Sequence, residues 1–372
     1  MSSSASCSAS ARRIRSDSSD TAFLRGVGGE GCRAERPWHA GFQRIPAPSR
    51  SAAGRANPLL VWWFRRIRPA GRPRVTHPDV RDLHDTVLGP GATHACGYWT
   101  SDAPGYGPAD AQRDQLDLVC RKLDLGPGAR FLDVGCGRGA LVLHAAERYG
   151  ARATGVTDSG GEHAFVRARS AERGLGDAVD VRLCDVPLCD VPPCDVRDVG
   201  GAPYDAVSSV ETGERVGPDR YPDYCAALHR ALRPGGRLLL QQLSSGPSGA
   251  HPRTSAAPYR PPGTTVYPLP VMLGHLEAAG FEIRDVVSLR EHYVATIDAW
   301  RTALDAAWPE VVARFGPERA RMWRLRLAGG SLAFASGRTS VHQVLAVRPG
   351  PGGRSGFRPL GDPSGRTWTA GA

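Results

Sequence analysis

The stretch "LDVGCGRG" at residues 132–139 constrains the fold of this chain more than any other feature. A short apolar strand, "ARFLDV", runs directly into Gly135, Gly137 and Gly139, and the helical sequence "ALVLHAAERYG" follows. Glycines at such a point permit a tight turn and let the backbone approach a ligand at the helix N-terminus. The sequence therefore predicts a strand, a ligand-binding turn and a helix in succession.

The alternation of strands and helices continues along the chain. Further strand patterns are "ARATGV", "VDVRLC", "YDAVSSV" and "GGRLLLQQL", with "FEIRDVVSL" and "SVHQVLAV" near the C-terminal end. Strands that alternate with helices form mostly parallel sheets that are covered on both faces. We predict an α/β fold with a doubly wound, mostly parallel, seven-stranded sheet of the Rossmann-like type.

Both ends of the chain differ in composition from this α/β region. Residues 1–56 are rich in Ser, Arg, Gly and Ala without a sustained hydrophobic period, and residues 350–372 are rich in Gly, Pro, Ser and Arg. Such segments cannot bury enough apolar surface to fold. We predict a disordered basic extension over 1–75, one folded domain over 76–349, and a disordered tail.

The net charge of +10 belongs to the N-terminal extension. Residues 1–75 contain 14 Arg against four acidic residues, whereas residues 76–372 contain 33 basic and 33 acidic residues. Enzymes that act on nucleic acid usually carry basic charge on the folded surface. We therefore expect no nucleic acid among the partners of the folded domain.

The sequence also indicates a location. Nine cysteines are scattered without a secretory signal, which predicts reduced thiols in a cytoplasm. The apolar run "PLLVWWF" is too short to span a bilayer. Residues 57–74 pair tryptophans with arginines, a pattern that suits an anionic membrane surface. A short helix docked on the domain is the alternative, and we expect a cytoplasmic protein associated peripherally with a membrane.

The spacing of the glycine turn favours one cofactor over another. The turn has the form G-x-G-x-G, whereas dinucleotide folds use G-x-G-x-x-G. A nicotinamide enzyme also places an acid at the end of the second strand, where this chain has Thr157 followed by Asp158. The pattern points to S-adenosylmethionine rather than NAD.

Several longer stretches form a more specific set of motifs. These are "HPDVRDLHDTVLGPGATHACGYW", "LDLVCRKLDLGPGARFLDVGCGRG", "VSSVETGERVG", "SLREHYVATIDAWRTALDAAWPEV" and "RMWRLRLAGGSLAFASGRTSVHQVLAV". Together they resemble the cyclopropane-fatty-acyl-phospholipid synthases and their mycolic-acid and methyl-branching relatives. The resemblance covers residues 77–348.

The resemblance implies a fold and a chemistry. It implies a class I methyltransferase that transfers a methyl group from S-adenosylmethionine to a cis double bond of a phospholipid acyl chain. A carbocation follows, and a bound bicarbonate takes a proton. The product is then a cyclopropane, or a methylene that a partner reductase would saturate.

The resemblance also implies a catalytic set, which is Cys96 through its backbone N–H, Glu214, Tyr293, Gln241 and Val210. Gln241 stands where the family usually has His, and an amide can donate a hydrogen bond but cannot hold a proton. Glu211 lies three residues before Glu214 and is an alternative acid.

For the cofactor, the resemblance implies Asp133, Gly135, Gly137, Gly139, Thr157, Glu162 and Asp185, with Asp185 near the adenine. Arg138 departs from the family's usual Trp, and His94 and Ala95 replace its Tyr-Ser pair. These departures leave two further hypotheses open. One is a family member that binds cofactor and membrane without catalysis, and the other is a methyltransferase acting on a small molecule.

The repeat "CDVPLCDVPPCDVRDV" at 184–199 resembles a cofactor loop lengthened by duplication. Loop closure costs only about 0.6 kcal/mol per doubling of loop length, so such an insertion is tolerable. A zinc site would need four ligands, commonly with cysteines two to four residues apart. We expect no metal site here.

Overall fold

The protein is described by a computed structural model that covers residues 83, 85–89, 93–183, 203–246 and 264–357. All of these lie in the second of two compact units, Pro73–Ala372. The predicted extension at 1–75 and the repeat at 184–199 lie outside the described residues, as does the tail beyond residue 357. The domain boundaries therefore stay predictions.

One sheet organises the described part of the chain. Its strands are β1 (Arg130–Val134), β2 (Arg152–Thr157), β3 (Val179–Leu183), β4 (Tyr204–Val210), β5 (Leu232–Ser245), β6 (Tyr267–Pro268), β7 (Glu282–Ser288) and β8 (Thr339–Val347). Their order is β3-β2-β1-β4-β5-β8-β7, and β6 pairs with β5. β8 runs antiparallel to both β5 and β7, and the other pairings are parallel. The predicted seven-stranded, mostly parallel sheet is confirmed, with the two-residue β6 in addition.

Eight longer helices accompany the sheet in the described ranges. They are α1 (Pro108–Lys122), α2 (Ala140–Tyr149), α3 (Gly160–Glu172), α4 (Tyr221–Ala231), α5 (Leu269–Ala278), α6 (Arg290–Ala306), α7 (Trp308–Phe315) and α8 (Pro317–Ala335). A further short helical segment lies at 85–88. No helix within these ranges is both long and apolar enough to cross a membrane.

The sheet is covered on both faces because successive side chains of a buried strand point in opposite directions. Phe131 of β1 packs with apolar residues of α1, α2 and α3, while its neighbour Leu132 packs with residues of α4 and α5. Both side chains are fully buried. The doubly wound arrangement follows from this alternation.

The last three helices form a separate layer near the carboxyl end of β5. Tyr293 and Trp300 of α6 and Phe334 of α8 share an apolar cluster with Cys96, and Leu243 of β5 packs against that cluster. The parallel strands β1, β2, β4 and β5 end at the same edge of the sheet. In open α/β sheets ligands bind beyond that edge.

Candidate active site

The glycine turn after β1 has the conformation that its sequence predicts. Gly135, Gly137 and Gly139 all have positive φ, at 83°, 54° and 75°. A Cβ at Gly135 would overlap Thr212, and one at Gly139 would lie 2.7 Å from Val166, whereas a Cβ at Gly137 would meet no atom within 4 Å. The turn therefore packs closely on two sides and leaves open space beside Gly137, next to the N-terminus of α2. That open space fits a cofactor.

The loop after β2 contributes a second set of polar groups. The hydroxyl of Thr157 donates to Glu162 at 2.5 Å and accepts from the N–H of Ser159 at 3.2 Å. Ser159 caps α3, because its side chain accepts the N–H of Glu162 at 3.3 Å. Two predicted cofactor residues, Thr157 and Glu162, are thus brought together beside a helix N-terminus.

The remaining predicted cofactor residues have different positions. Asp133 is buried inside the sheet, where its carboxylate accepts the hydroxyl of Ser208 at 2.6 Å, and burial raises its pKa to about 6. Its hydrogen-bond partner Ser208 therefore lies on the neighbouring strand β4 rather than on the surface of the glycine turn. Asp185 lies outside the described residues.

Two ion pairs fasten the cofactor loops to other segments. Arg138 pairs with Asp85 of the helical segment at 85–88, and its guanidinium lies 4.8 Å from the ring centre of Phe165. Arg215 pairs with Asp158 at 2.7 Å, which joins the loop after β4 to the loop after β2. Sequence reasoning missed both pairs, since neither partner lies near the other in the chain.

Glu211 is the centre of the candidate catalytic cluster. It follows β4 directly and has a φ of +50°, the left-handed region that non-glycine residues rarely adopt. Its Oε1 accepts the N–H of Cys96 at 2.9 Å and the side-chain amide of Gln241 at 3.1 Å. Its Oε2 accepts the hydroxyl of Tyr293 at 2.8 Å. Three of the predicted catalytic residues therefore converge on one carboxylate.

Two buried glutamines determine which way the amide of Gln241 points. Gln343, its cross-strand partner on β8, donates to Oε1 of Gln241 at 3.1 Å, and Gln115 of α1 approaches the same oxygen at 3.5 Å. Because the oxygen of Gln241 is occupied, its NH₂ group faces Glu211. Neither Gln115 nor Gln343 was among the predicted site residues.

The partners of Glu211 are neutral. Cys96 is 1% exposed, and burial together with the charge of Glu211 raises the pKa of its thiol well above the ordinary value. The same two causes raise the pKa of Tyr293. The Tyr293 hydroxyl is therefore a hydrogen-bond donor to Glu211. Cys96 reaches Glu211 through its backbone N–H, while its thiol donates to the carbonyls of Gly97 and Leu289.

Glu214, the acid that the family motif implies, has a different environment. It lies in the short turn Gly213–Arg215, and its Oε1 accepts the N–H of Leu243 at 2.6 Å. Its Oε2 is buried without a hydrogen-bond partner among the described residues. Burial, with the nearby charge of Glu211, raises its pKa to about 8, so Glu214 is largely protonated at neutral pH. The structure thus places Glu211, not Glu214, against Cys96, Tyr293 and Gln241.

Val210 is the last residue of β4, and its carbonyl accepts the hydroxyl of Thr212 at 3.2 Å. It is paired with Gln241 in the register of β4 and β5. The backbone that the resemblance assigns to the site therefore lies beside the cluster. Its position also fixes Glu211 at the carboxyl edge of the sheet.

Bicarbonate does not fit this arrangement. The resemblance assigns Cys96, Glu214, Gln241, Tyr293 and the backbone of Val210 to a bicarbonate ion. The three hydrogen-bond donors among them, the Cys96 N–H, the Tyr293 hydroxyl and the Gln241 amide, all donate to Glu211. An added anion would lack these donors and would lie beside a carboxylate of the same charge.

The fold and the site define a class. A Rossmann-like sheet, an S-adenosylmethionine-type glycine turn and polar loops at the carboxyl ends of β2 and β4 are the features of a class I methyltransferase. Residues 70–344 match the sequence profile of the mycolic acid cyclopropane synthetase family. The chain belongs to this family of S-adenosylmethionine-dependent methyltransferases, as the motifs predicted.

Named relatives agree with this assignment. The chain is 33% identical over 280 residues to a probable fatty acid methyltransferase of Pseudomonas putida, covering 73% of this chain and 68% of the relative. It is 31% identical over 320 residues to the tuberculostearic acid methyltransferase UfaA1 of Mycobacterium tuberculosis, covering 79% and 72%. The match thus spans about two thirds of the length of these relatives.

A solved structure shares the fold. The mycolic acid cyclopropane synthase CmaA1, complexed with SAH and CTAB, superposes with a TM-score of 0.64 at 26% identity. The match covers 73% of this chain and 96% of that structure.

Proposed function

We propose that this protein is a C-methyltransferase that uses S-adenosylmethionine to methylate cis double bonds in phospholipid acyl chains. The observation that supports this best is the carboxylate of Glu211, held by three donors beside the cofactor turn. Methylation of an alkene leaves a carbocation, which must lose a proton from carbon and therefore needs a positioned base. Two curated relatives are named a probable fatty acid methyltransferase and a tuberculostearic acid methyltransferase, which supports an acyl chain as the substrate.

The cofactor supplies an electrophilic methyl group. We assign the glycine turn to its amino-acid portion, and Thr157 with Glu162 to its ribose. Arg138 and Arg215 hold the surrounding loops through Asp85 and Asp158.

An aromatic wall suits a cationic intermediate. The ring of Tyr293 lies 4.6 Å from that of Phe334 and 6.1 Å from that of Trp300. These rings exclude water, which would capture the cation, and their faces carry the negative density that attracts a positive charge. The same wall offers an apolar surface for an acyl chain.

The outer face of α8 suits a lipid surface. Leu325 and Leu332 are 52% and 64% exposed, and because they lie seven residues apart they share one face of the helix. Arg321 and Arg324 lie on the same helix, and arginines beside apolar side chains favour anionic lipid. Phe334 of this helix contacts Tyr293 inside the site. We propose that α8 contacts the bilayer while its inner face lines the acyl site.

The membrane contact can be tested by sedimentation with anionic phospholipid vesicles. We expect Leu325→Asp with Leu332→Asp to lower vesicle binding at least tenfold. Val271→Asp is the matched control, because Val271 is 40% exposed on α5. Equal loss in the control, or no loss in the double variant, would contradict a role for this face.

The reaction can be tested in a host rich in unsaturated phospholipid. We expect fatty-acid methyl esters from expressing cells to include species heavier by one CH₂, as a cyclopropane or as a methylene that a partner reductase saturates. Tyr293→Phe should reduce their yield. Turnover on a soluble small molecule without vesicles would replace the lipid assignment, and cofactor binding without product would indicate an inactive family member.

A further inference from the structure

We infer that the Glu211 carboxylate is itself the base of the reaction, and that the protein works without bicarbonate. This inference rests on the proposed function, since it concerns the proton that the proposed reaction must remove. It also explains why the site does not fit bicarbonate, although the resemblance implies that ion.

The contacts of Glu211 are those expected of a bound oxyanion. One oxygen accepts two donors and the other accepts one, and the donors come from the segment before α1, from β5 and from α6. A carboxylate and a bicarbonate ion share the planar O–C–O group that such donors recognise. The side chain of Glu211 therefore supplies, as part of the chain, the planar oxyanion that these three donors would otherwise bind from solution.

The backbone at Glu211 supports a functional reason for its position. A left-handed conformation costs an L-residue on the order of 1–2 kcal/mol, and such strain persists where it serves a site. The N–H of Glu211 donates to the carbonyl of Gln241 at 2.7 Å, which holds this conformation. With this backbone, the side chain reaches Cys96 and Tyr293.

The neighbouring acid does not take the part of proton acceptor. The pKa of Glu214 is raised to about 8, so it is largely protonated at neutral pH, and its Oε1 accepts the N–H of Leu243 rather than any of the donors that hold Glu211. Burial raises the pKa of Glu211, against the three hydrogen bonds that lower it. An acid with a raised pKa is a stronger base once it is ionised.

The step balances without any further reactant. The methyl group has joined one alkene carbon and the other carbon is cationic. A C–H bond of that methyl breaks, its electron pair forms the third bond of the cyclopropane ring, and the proton passes to Glu211. If a hydride first moves between the two carbons, the same electron pair forms a C=C bond to an exocyclic methylene instead. In either case Glu211 ends protonated and returns its proton to solvent before the next turnover.

Two substitutions test the role of the carboxylate. Glu211→Gln keeps the shape and removes the base, and we expect turnover on unsaturated phospholipid vesicles to fall at least about 100-fold. Glu211→Gly removes the whole side chain, and glycine adopts a φ of +50° without strain. Glu282→Gln on β7 is the matched control and should keep wild-type turnover.

Bicarbonate supplies the decisive comparison. In buffer freed of carbon dioxide, wild-type turnover should be unchanged, whereas Glu211→Gly should be inactive and regain activity with added bicarbonate or formate. Wild-type turnover that falls in this buffer and recovers with bicarbonate would overturn the inference, as would a Glu211→Gln variant with normal turnover.

A binding measurement separates this inference from the proposed function. In carbon-13 NMR, the signal of labelled bicarbonate should broaden when the Glu211→Gly variant is added. It should keep its linewidth when the wild-type protein is added. This result does not depend on lipid turnover, so it stands if the substrate is of another class. Specific broadening by the wild-type protein would show that it binds the ion and would overturn the inference.

Discussion

Gln343 on β8 donates its side-chain amide to Oε1 of Gln241 on β5 at 3.1 Å. Gln241 in turn donates to Glu211 at 3.1 Å. An amide whose oxygen is already bonded cannot turn that oxygen toward a carboxylate without losing a buried hydrogen bond. Gln343 is therefore a positioning residue that acts on Glu211 through Gln241.

Gln343→Leu should shift the pH profile of turnover. Without its partner, Gln241 can rotate and withdraw its donor, which raises the pKa of Glu211 further. Because Glu211 acts ionised, loss of the hydrogen bond from Gln241, which lowers its pKa, should move the acid limb to higher pH. Gln242→Leu is the control, since Gln242 points to the opposite face and bonds Tyr221 at 2.8 Å. An unshifted acid limb in Gln343→Leu would argue against the positioning role.

Glu214 should make the protein less stable as pH rises. Its pKa is raised to about 8 in the folded state, mainly by burial, whereas an unfolded Glu ionises near 4.5. Stability from this group is full below the unfolded value and is lost as pH rises toward the folded one, by at most about 1.4 kcal/mol per pH unit. In the Glu214→Gln variant, the melting temperature should therefore fall less than in the wild type as pH rises between these two pKa values. Identical pH profiles for both proteins would contradict this environment for Glu214.

The strand pattern could be predicted because each long strand lies in a short run that is rich in apolar residues. The seven such runs, from "ARFLDV" to "SVHQVLAV", all appear as strands of one sheet. The eighth strand, β6, was missed because two residues carry no periodic signal. The glycine turn was predicted from its G-x-G-x-G spacing after a strand, and the structure adds that Gly135 and Gly139 pack closely against Thr212 and Val166.

The site was less predictable. The sequence indicated Cys96, Tyr293 and Gln241, but it could not separate Glu211 from Glu214, since three residues of spacing do not specify which side chain faces the cluster. The positive backbone φ of Glu211 directs its side chain toward the cluster, and no local sequence pattern predicts that angle. Gln343 was missed because it lies 102 residues from Gln241 and meets it only through strand pairing.

Two glycines of the cofactor turn should respond differently to alanine. Gly135→Ala places a methyl group inside Thr212 and should lower the melting temperature markedly. Gly137→Ala meets no protein atom, so beyond about 1 kcal/mol of backbone cost it should mainly weaken cofactor binding. Thermal melting and calorimetric titration with S-adenosylhomocysteine measure the two effects. Tight cofactor binding by Gly137→Ala would show that the open space beside this residue is not the cofactor site.

The ion pair between Arg215 and Asp158 should support cofactor binding rather than catalysis. It joins the loops after β2 and β4 at 2.7 Å, and both side chains are partly exposed. Such pairs contribute up to about 1 kcal/mol, so Arg215→Met should raise the KM for S-adenosylmethionine up to about fivefold with a smaller change in kcat. Arg169→Met is the control, because it breaks a surface pair with Glu172 at 3.1 Å. An equal KM for S-adenosylmethionine in the Arg215→Met and Arg169→Met variants would exclude a specific role for the pair between Arg215 and Asp158.

The most direct test of the account uses S-adenosylmethionine whose methyl group is fully deuterated. Purified protein is incubated with it and with vesicles of cis-unsaturated phospholipid, and the acyl chains are analysed by mass spectrometry. We expect the transferred carbon to appear in the acyl chain having lost one deuterium, because Glu211 removes one deuteron from that methyl. An acyl chain without label, from protein that binds the cofactor, would contradict the proposed function. Label that keeps all three deuteriums would contradict proton removal from the transferred methyl.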